Sequence, residues 1–162
     1  MLTSEARELR MGLFACLGVE RWVDEVAATG PYLDAATLLD AARRASATLS
    51  RAEVDEALVH HPRIGQSVRD ASTAARFSRR EQAPPDADDV ELSELIAAGN
   101  RDYEARFGRV FLIRAAGRTR AEILAELNRR LRLPNDVEVG IVAGELREIA
   151  LLRLAALIEL RL

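Results

Sequence analysis

Residues 136–160 read DVEVGIVAGELREIALLRLAALIEL and carry apolar side chains at intervals of three and four, without a proline. This spacing places the apolar side chains on one face of a helix. The members of this stripe are Ile141, Val142, Leu146, Ile149, Leu152 and Leu157. The stretch therefore predicts a long helix that begins near Asp136 and turns one face toward a core.

Shorter stripes of the same kind fill most of the preceding sequence, and glycine, proline or capping residues separate them. They span residues 9–17, 22–26, 38–49, 50–61, 67–80, 92–107 and 123–131. Two of these helices are predicted to begin with capping boxes, at Ser50 with Glu53 and at Thr119 with Glu122. Another is expected to begin at Asp88 or Asp89, and the stretch RVFLIRA, residues 109–115, reads as an extended segment or a buried connection.

The pattern predicts an all-α fold, a single compact domain of about seven to eight helices that covers residues 1–162. The net charge is −3, with 23 basic and 26 acidic side chains interspersed, so the sequence favours neither nucleic acid nor a membrane as a partner. Cys16 is the one cysteine and lies in an apolar run, which predicts a buried, inert thiol. The charged N-terminal stretch does not resemble a signal peptide, and we expect a cytoplasmic protein.

Both histidines of the chain, His60 and His61, lie side by side before Pro62. A proline disfavours the helical conformation of the residue before it, so the helix is expected to end at His61, with His60 inside it. The pair has two readings: helix-end residues that bond free carbonyl groups, or a group that handles protons near neutral pH. Two adjacent histidines point in different directions and no third exists, which argues against a metal site.

Two further polar features have a structural and a functional reading each. Ser78, Glu81 and Gln82 fall on one turn of a predicted helix, so they form either a solvated helix end or a cluster around one ligand. Arg153 lies on the apolar stripe of the last helix, where a buried charge needs a partner. That partner is either an acid, such as Glu145, or a ligand.

Taken in order along the chain, these pieces resemble the family of 2-oxo-4-hydroxy-4-carboxy-5-ureidoimidazoline (OHCU) decarboxylases. The resemblance covers nearly the whole chain, and the ordered set of motifs is more specific than any one of them. The matching stretches are HPRIG at 61–65, SRREQ at 78–82, NRDYEARFG at 100–108, FLIRAAGR at 111–118 and EIALLRL at 148–154. The chain departs from the family where Arg109 and Val110 replace an aromatic–proline pair.

The resemblance implies an all-helical homodimer that needs neither metal nor organic cofactor and converts OHCU into (S)-allantoin in urate breakdown. It implies that His61 is catalytic and that Glu81 belongs to a polar turn that binds the ligand. We expect Glu81 to act in catalysis as well, by orienting His61 or sharing the substrate hydroxyl. It also implies a set of substrate-binding residues: Pro62, Ser78, Gln82, Phe111, Leu112, Ile113, Arg114, Ala115 and Arg153. His60 is expected to be a bystander.

Two other functions remain open from the residues. The chain could be a non-enzymatic helical interaction module, in which the polar cluster is only a solvated face. It could also be a related enzyme that acts on another ureide. Activity on freshly generated OHCU distinguishes these possibilities.

Overall fold

The computed structural model of the protein describes residues 4–61 and 84–160. Within those ranges seven helices account for the regular structure, and no strand occurs. They are α1 (Ser4–Cys16), α2 (Glu20–Thr29), α3 (Ala35–Ala45), α4 (Arg51–Leu58), α5 (Val90–Phe107), α6 (Arg120–Arg130) and α7 (Asn135–Glu159). The predicted all-α fold and the long final helix are thereby confirmed.

The chain divides into two compact units, and the first comprises residues 1–59 and 146–162. In this unit α2 packs against both α1 and α3. Trp22 is completely buried, and its indole N–H donates a hydrogen bond to the carbonyl of Ala42 over 3.0 Å. Cys16 is also buried in this unit, which confirms the predicted burial of its thiol. This interior uses the apolar faces that the short stripes define.

The second unit comprises residues 60–145, in which α5 packs against α6. Its core includes side chains from both helices and from the segment between them: Ile96, Tyr103, Phe111, Ile113, Ala115, Ile123 and Leu127. Gly99 allows the close approach of the two helices, because a Cβ atom there would lie 2.5 Å from Cδ2 of Leu127. The prediction of one domain over residues 1–162 stays a prediction.

Local capping chemistry sets several of the helix ends. Both predicted capping boxes are present, at Ser50 with Glu53 and at Thr119 with Glu122. Asp89 caps α5, and α5 ends at Gly108, whose φ of 71° favours glycine. No helix in the described ranges has both the length and the apolarity needed to cross a membrane.

Two predicted helix ends are wrong, because α3 ends at Ala45 before Leu49 and α4 ends at Leu58 before His61. A proline at position 62 cannot donate to the carbonyl of Leu58, and its ring would crowd that carbonyl in a continuing helix. The helix therefore ends at Leu58, the residue whose carbonyl would receive no hydrogen bond from position 62. The helix predicted for residues 67–80 lies outside the described residues.

Candidate active site

His61 follows α4 in the non-helical chain, at the start of the second unit. Val59 and His60 form a turn after the helix, so the prediction that His60 extends α4 is wrong. His60 is exposed, whereas His61 is half-buried. Of the two imidazoles, the one assigned to catalysis is thus the more sheltered from solvent.

Four predicted site residues, Pro62, Ser78, Glu81 and Gln82, lie outside the described residues. Arg153 belongs to the first unit and His61 to the second. The convergence of these side chains around one ligand therefore stays a prediction.

Arg153 is 3% exposed on α7, which confirms its predicted place on the apolar face of the last helix. The acid suggested for it, Glu145, accepts a hydrogen bond from the backbone N–H of Arg114 and forms an ion pair with Arg118 over 3.6 Å. An arginine as buried as Arg153 requires compensation of its charge, which agrees with both an acidic partner and a bound ligand.

Residues 111–115 connect α5 to α6 without forming helix or strand. Phe111, Leu112, Ile113 and Ala115 are buried there, at 1%, 4%, 2% and 7% exposure, and Arg114 is half-buried. Of the two predicted forms of this stretch, the buried connection is the one observed. Its backbone polar groups are thus removed from water without a helix or a sheet to pair them.

A buried polar network lies beside this segment. Arg130 and Glu138 are both 0% exposed, and Nε of Arg130 donates to the two carboxylate oxygens of Glu138 over 2.9 and 3.2 Å. The hydroxyl of Tyr103 donates to the same carboxylate over 2.6 Å. Burial and this bond to a carboxylate raise the pKa of Tyr103 from 10.0 to about 12. The phenol is therefore a neutral donor across the physiological range.

The sequence reasoning missed this network, although a signal was present. Arg130 stands three residues after Leu127 and seven after Ile123, on the apolar face of α6, as Arg153 does on α7. Its partner Glu138 lies beyond Pro134 in the first turn of α7, where an acid is ordinarily explained by the helix dipole. Because each residue fits a local pattern, the sequence does not indicate that the two form an ion pair across the turn between α6 and α7.

Two other features bear on the predictions from sequence. Arg109 donates to Oδ1 of Asn135 over 3.1 Å, and its guanidinium lies 5.2 Å from the centre of the Phe107 ring. The residue that departs from the family pattern is thus anchored within its own unit. Within the described ranges no group of three His, Cys, Asp or Glu residues could hold a metal. The expectation of a cofactor-free reaction stays a prediction.

Comparison with known proteins identifies the family. The family model described as OHCU decarboxylase matches residues 3–155. A human protein provisionally named 2-oxo-4-hydroxy-4-carboxy-5-ureidoimidazoline decarboxylase is 34% identical over 101 residues, which are 61% of this chain and 58% of that protein. The uric acid degradation bifunctional protein TTL of Arabidopsis thaliana is 30% identical over 145 residues, 88% of this chain and 45% of the relative. The chain thus spans about half the length of these curated relatives.

Solved structures agree with the sequence comparison. A crystal structure of OHCU decarboxylase in the presence of (S)-allantoin matches with a TM-score of 0.77 and 27% identity, over 92% of this chain and 98% of that one. A crystal structure of (S)-allantoin synthase shares the fold, with a TM-score of 0.60 and 19% identity over 93% of this chain and 50% of the other. On the family match over residues 3–155, the chain belongs to the OHCU decarboxylase family.

Proposed function

We propose that the protein decarboxylates OHCU to (S)-allantoin and thereby acts in urate breakdown. The observation that carries this proposal is the family match over residues 3–155. The similarity to an OHCU decarboxylase structure obtained in the presence of (S)-allantoin supports it, since nearly all of that chain is covered.

The chemistry needs little from the protein beyond positioning and proton control. OHCU carries a carboxylate and a hydroxyl on one ring carbon. When the bond to the carboxylate breaks, carbon dioxide leaves and the electron pair forms a C=C bond to the neighbouring ureido-bearing carbon, while the C=N electrons move to the ring nitrogen, which takes up a proton. The resulting enol then loses its hydroxyl proton to become the ring carbonyl, as a proton adds to one face of the ureido-bearing carbon. The protein's contribution would be orientation and stabilisation of the developing charge.

His61 is the group that we assign to proton handling. Imidazole exchanges protons near neutral pH, and the half-buried position of His61, beyond the turn that follows α4, shelters it more than its neighbour. In this proposal it bonds the substrate hydroxyl, while Glu81 orients the imidazole or shares that hydroxyl. Pro62 shapes the pocket beside it.

The remaining residues would hold the substrate. Ser78, Gln82 and backbone groups of residues 111–115 would bind the ureido and ring amides. Arg153 would bind a ring or ureido carbonyl, where negative charge accumulates. An arginine on the departing carboxylate would stabilise the ground state and lose its partner in the transition state. It would therefore raise the activation free energy of decarboxylation instead of lowering it.

The test supplies urate, urate oxidase and 5-hydroxyisourate hydrolase, adds the protein and follows the circular dichroism of the product. We expect a growing signal of (S)-allantoin above the spontaneous reaction, which gives a racemate. A racemic product formed at the background rate would refute the proposal and favour a helical interaction module. Binding of a different ureide without turnover of OHCU would favour the related enzyme.

We further propose a homodimer in the cytoplasm. Sedimentation equilibrium measures the first property, and a single species with the mass of one chain would contradict it. Fractionation of the source cells measures the second, and recovery of the protein outside the soluble cytoplasmic fraction would contradict it.

A further inference from the structure

The backbone N–H and C=O of Ile113 are buried and have no hydrogen-bond partner among the residues that the structure describes. The residue as a whole is 2% exposed. A buried backbone donor or acceptor without a partner costs about 1–3 kcal/mol each, so such groups in native proteins ordinarily receive water or a ligand. The pair offers one donor and one acceptor, which complements an amide or ureide.

The neighbouring peptide groups, by contrast, are held by charged side chains. Nη1 of Arg130 donates to the carbonyl of Leu112 over 2.8 Å. Oε2 of Glu145 accepts from the backbone N–H of Arg114 over 2.8 Å. Hydrogen bonds of this kind, with one charged member, are roughly twice as strong as neutral ones. The chain is therefore fixed immediately before and immediately after Ile113.

Both anchors are themselves supported, and Glu145 is paired with Arg118 over 3.6 Å. Glu138 binds the guanidinium of Arg130 on two oxygens and also accepts from Tyr103. The same guanidinium lies 4.7 Å from the centre of the Phe111 ring. A buried fork-shaped contact restricts the rotamers of Arg130 and thus the position of the carbonyl that it holds.

We propose that Arg130 and Glu145 are positioning residues, which hold the backbone on both sides of Ile113 so that its N–H and C=O face an amide-type ligand. The segment belongs to no helix or sheet, so these side-chain bonds replace the backbone ladder that would otherwise fix it. The inference rests on the proposed function for the identity of the ligand, a ureide. Fixing a binding group before the ligand arrives lowers the cost of ordering it on binding.

Glu145 provides a matched pair of variants. Glu145→Gln keeps an acceptor oxygen for Arg114 N–H but loses the charge that pairs with Arg118, whereas Glu145→Met loses both. If Glu145 positions the backbone, Glu145→Met should raise KM for OHCU about tenfold, which corresponds to one lost hydrogen bond to a charged group. Glu145→Gln should raise it about threefold, because a neutral bond keeps roughly half of that free energy. The turnover number should change less than KM in both.

Arg130 requires a double variant, since its removal alone leaves a buried carboxylate. Arg130→Met with Glu138→Met removes both charges, keeps the volume apolar and still releases the Leu112 carbonyl. We expect this protein to fold, as judged by far-ultraviolet circular dichroism, and to show a raised KM. Amide hydrogen exchange provides a readout apart from activity: the Arg114 amide should exchange faster in Glu145→Met than in Glu145→Gln.

Two outcomes separate this inference from the proposed function. An active wild-type protein whose Glu145→Met and Glu145→Gln variants share one KM and one Arg114 exchange rate would overturn the positioning role alone. An inactive wild-type protein would overturn the proposed function, and the ligand role of Ile113 with it.

Discussion

Replacement of Arg130 by methionine tests the energetic importance of the buried network most severely. Arg130 and Glu138 are both 0% exposed, so the change leaves a carboxylate inside the second unit with only the Tyr103 hydroxyl as a described partner. It also removes the bond to the carbonyl of Leu112. Methionine fills most of the vacated volume, so the effect reports charge and hydrogen bonding more than a cavity.

Breaking a buried ion pair from one side costs about 3–5 kcal/mol of the free energy of unfolding. For a chain of this size each kcal/mol lowers the melting temperature by roughly 2–4 °C, which predicts a fall of roughly 6–20 °C. Thermal and urea unfolding followed by circular dichroism at the helix band measure both quantities.

The decisive comparison is between Arg130→Met and the same protein that also carries Glu138→Met. Because the second change removes the isolated charge, the double variant should be more stable than Arg130→Met alone. Two results would refute the interpretation of a coupled buried pair. One is a decrease of less than about 1 kcal/mol in the free energy of unfolding of Arg130→Met. The other is a double variant whose decrease equals the sum of the decreases in Arg130→Met and Glu138→Met.

Two further perturbations address packing and pH. Gly99→Ala should destabilise the protein by about 1–3 kcal/mol in urea unfolding, because the new methyl group meets the buried side chain of Leu127. Gly140→Ala should be neutral or stabilising, because among the described residues a Cβ there meets no atom within 4 Å apart from the backbone of its own helix. Equal effects would contradict the close approach of the helices. Tyr103 has its pKa raised from 10.0 to about 12, so the neutral phenol contributes stability below pH 10 that is lost as the pH rises through 12. In Tyr103→Phe, the free energy of unfolding should therefore no longer show the decrease that titration of this phenol causes at alkaline pH. If its dependence on pH is the same as in the unaltered protein, the bond to Glu138 does not contribute to stability.

Local chemistry explains which parts of the fold could be predicted from the sequence. The capping boxes at Ser50 and Thr119 and the stop at Gly108 depend on residues within one helical turn, and all three are observed. The helix α4 ends earlier than the effect of Pro62 on its preceding residue predicts, because a proline also disrupts the hydrogen bond to the carbonyl four residues before it.

The candidate site was less accessible to such reasoning. The burial of Arg153 follows from helical period alone, but the pairing of Arg130 with Glu138 depends on how the chain turns after Pro134. The anchors of residues 112 and 114 likewise come from α6 and α7, far along the sequence. Side chains that meet through tertiary packing are not separated by a fixed number of residues, so no periodic pattern in the sequence predicts them. The roles of Ser78, Glu81 and Gln82 came from the family resemblance and stay predictions.

The catalytic role of His61 is tested by the rate of (S)-allantoin formation in His61→Asn and His60→Asn, compared with the unaltered protein. Both substitutions remove an imidazole next to α4, so the helical circular dichroism of both proteins should match that of the parent. We expect His61→Asn to give only the racemate of the uncatalysed reaction, while His60→Asn retains most of the stereoselective rate. Equal losses in the two variants, or full activity in His61→Asn, would contradict it.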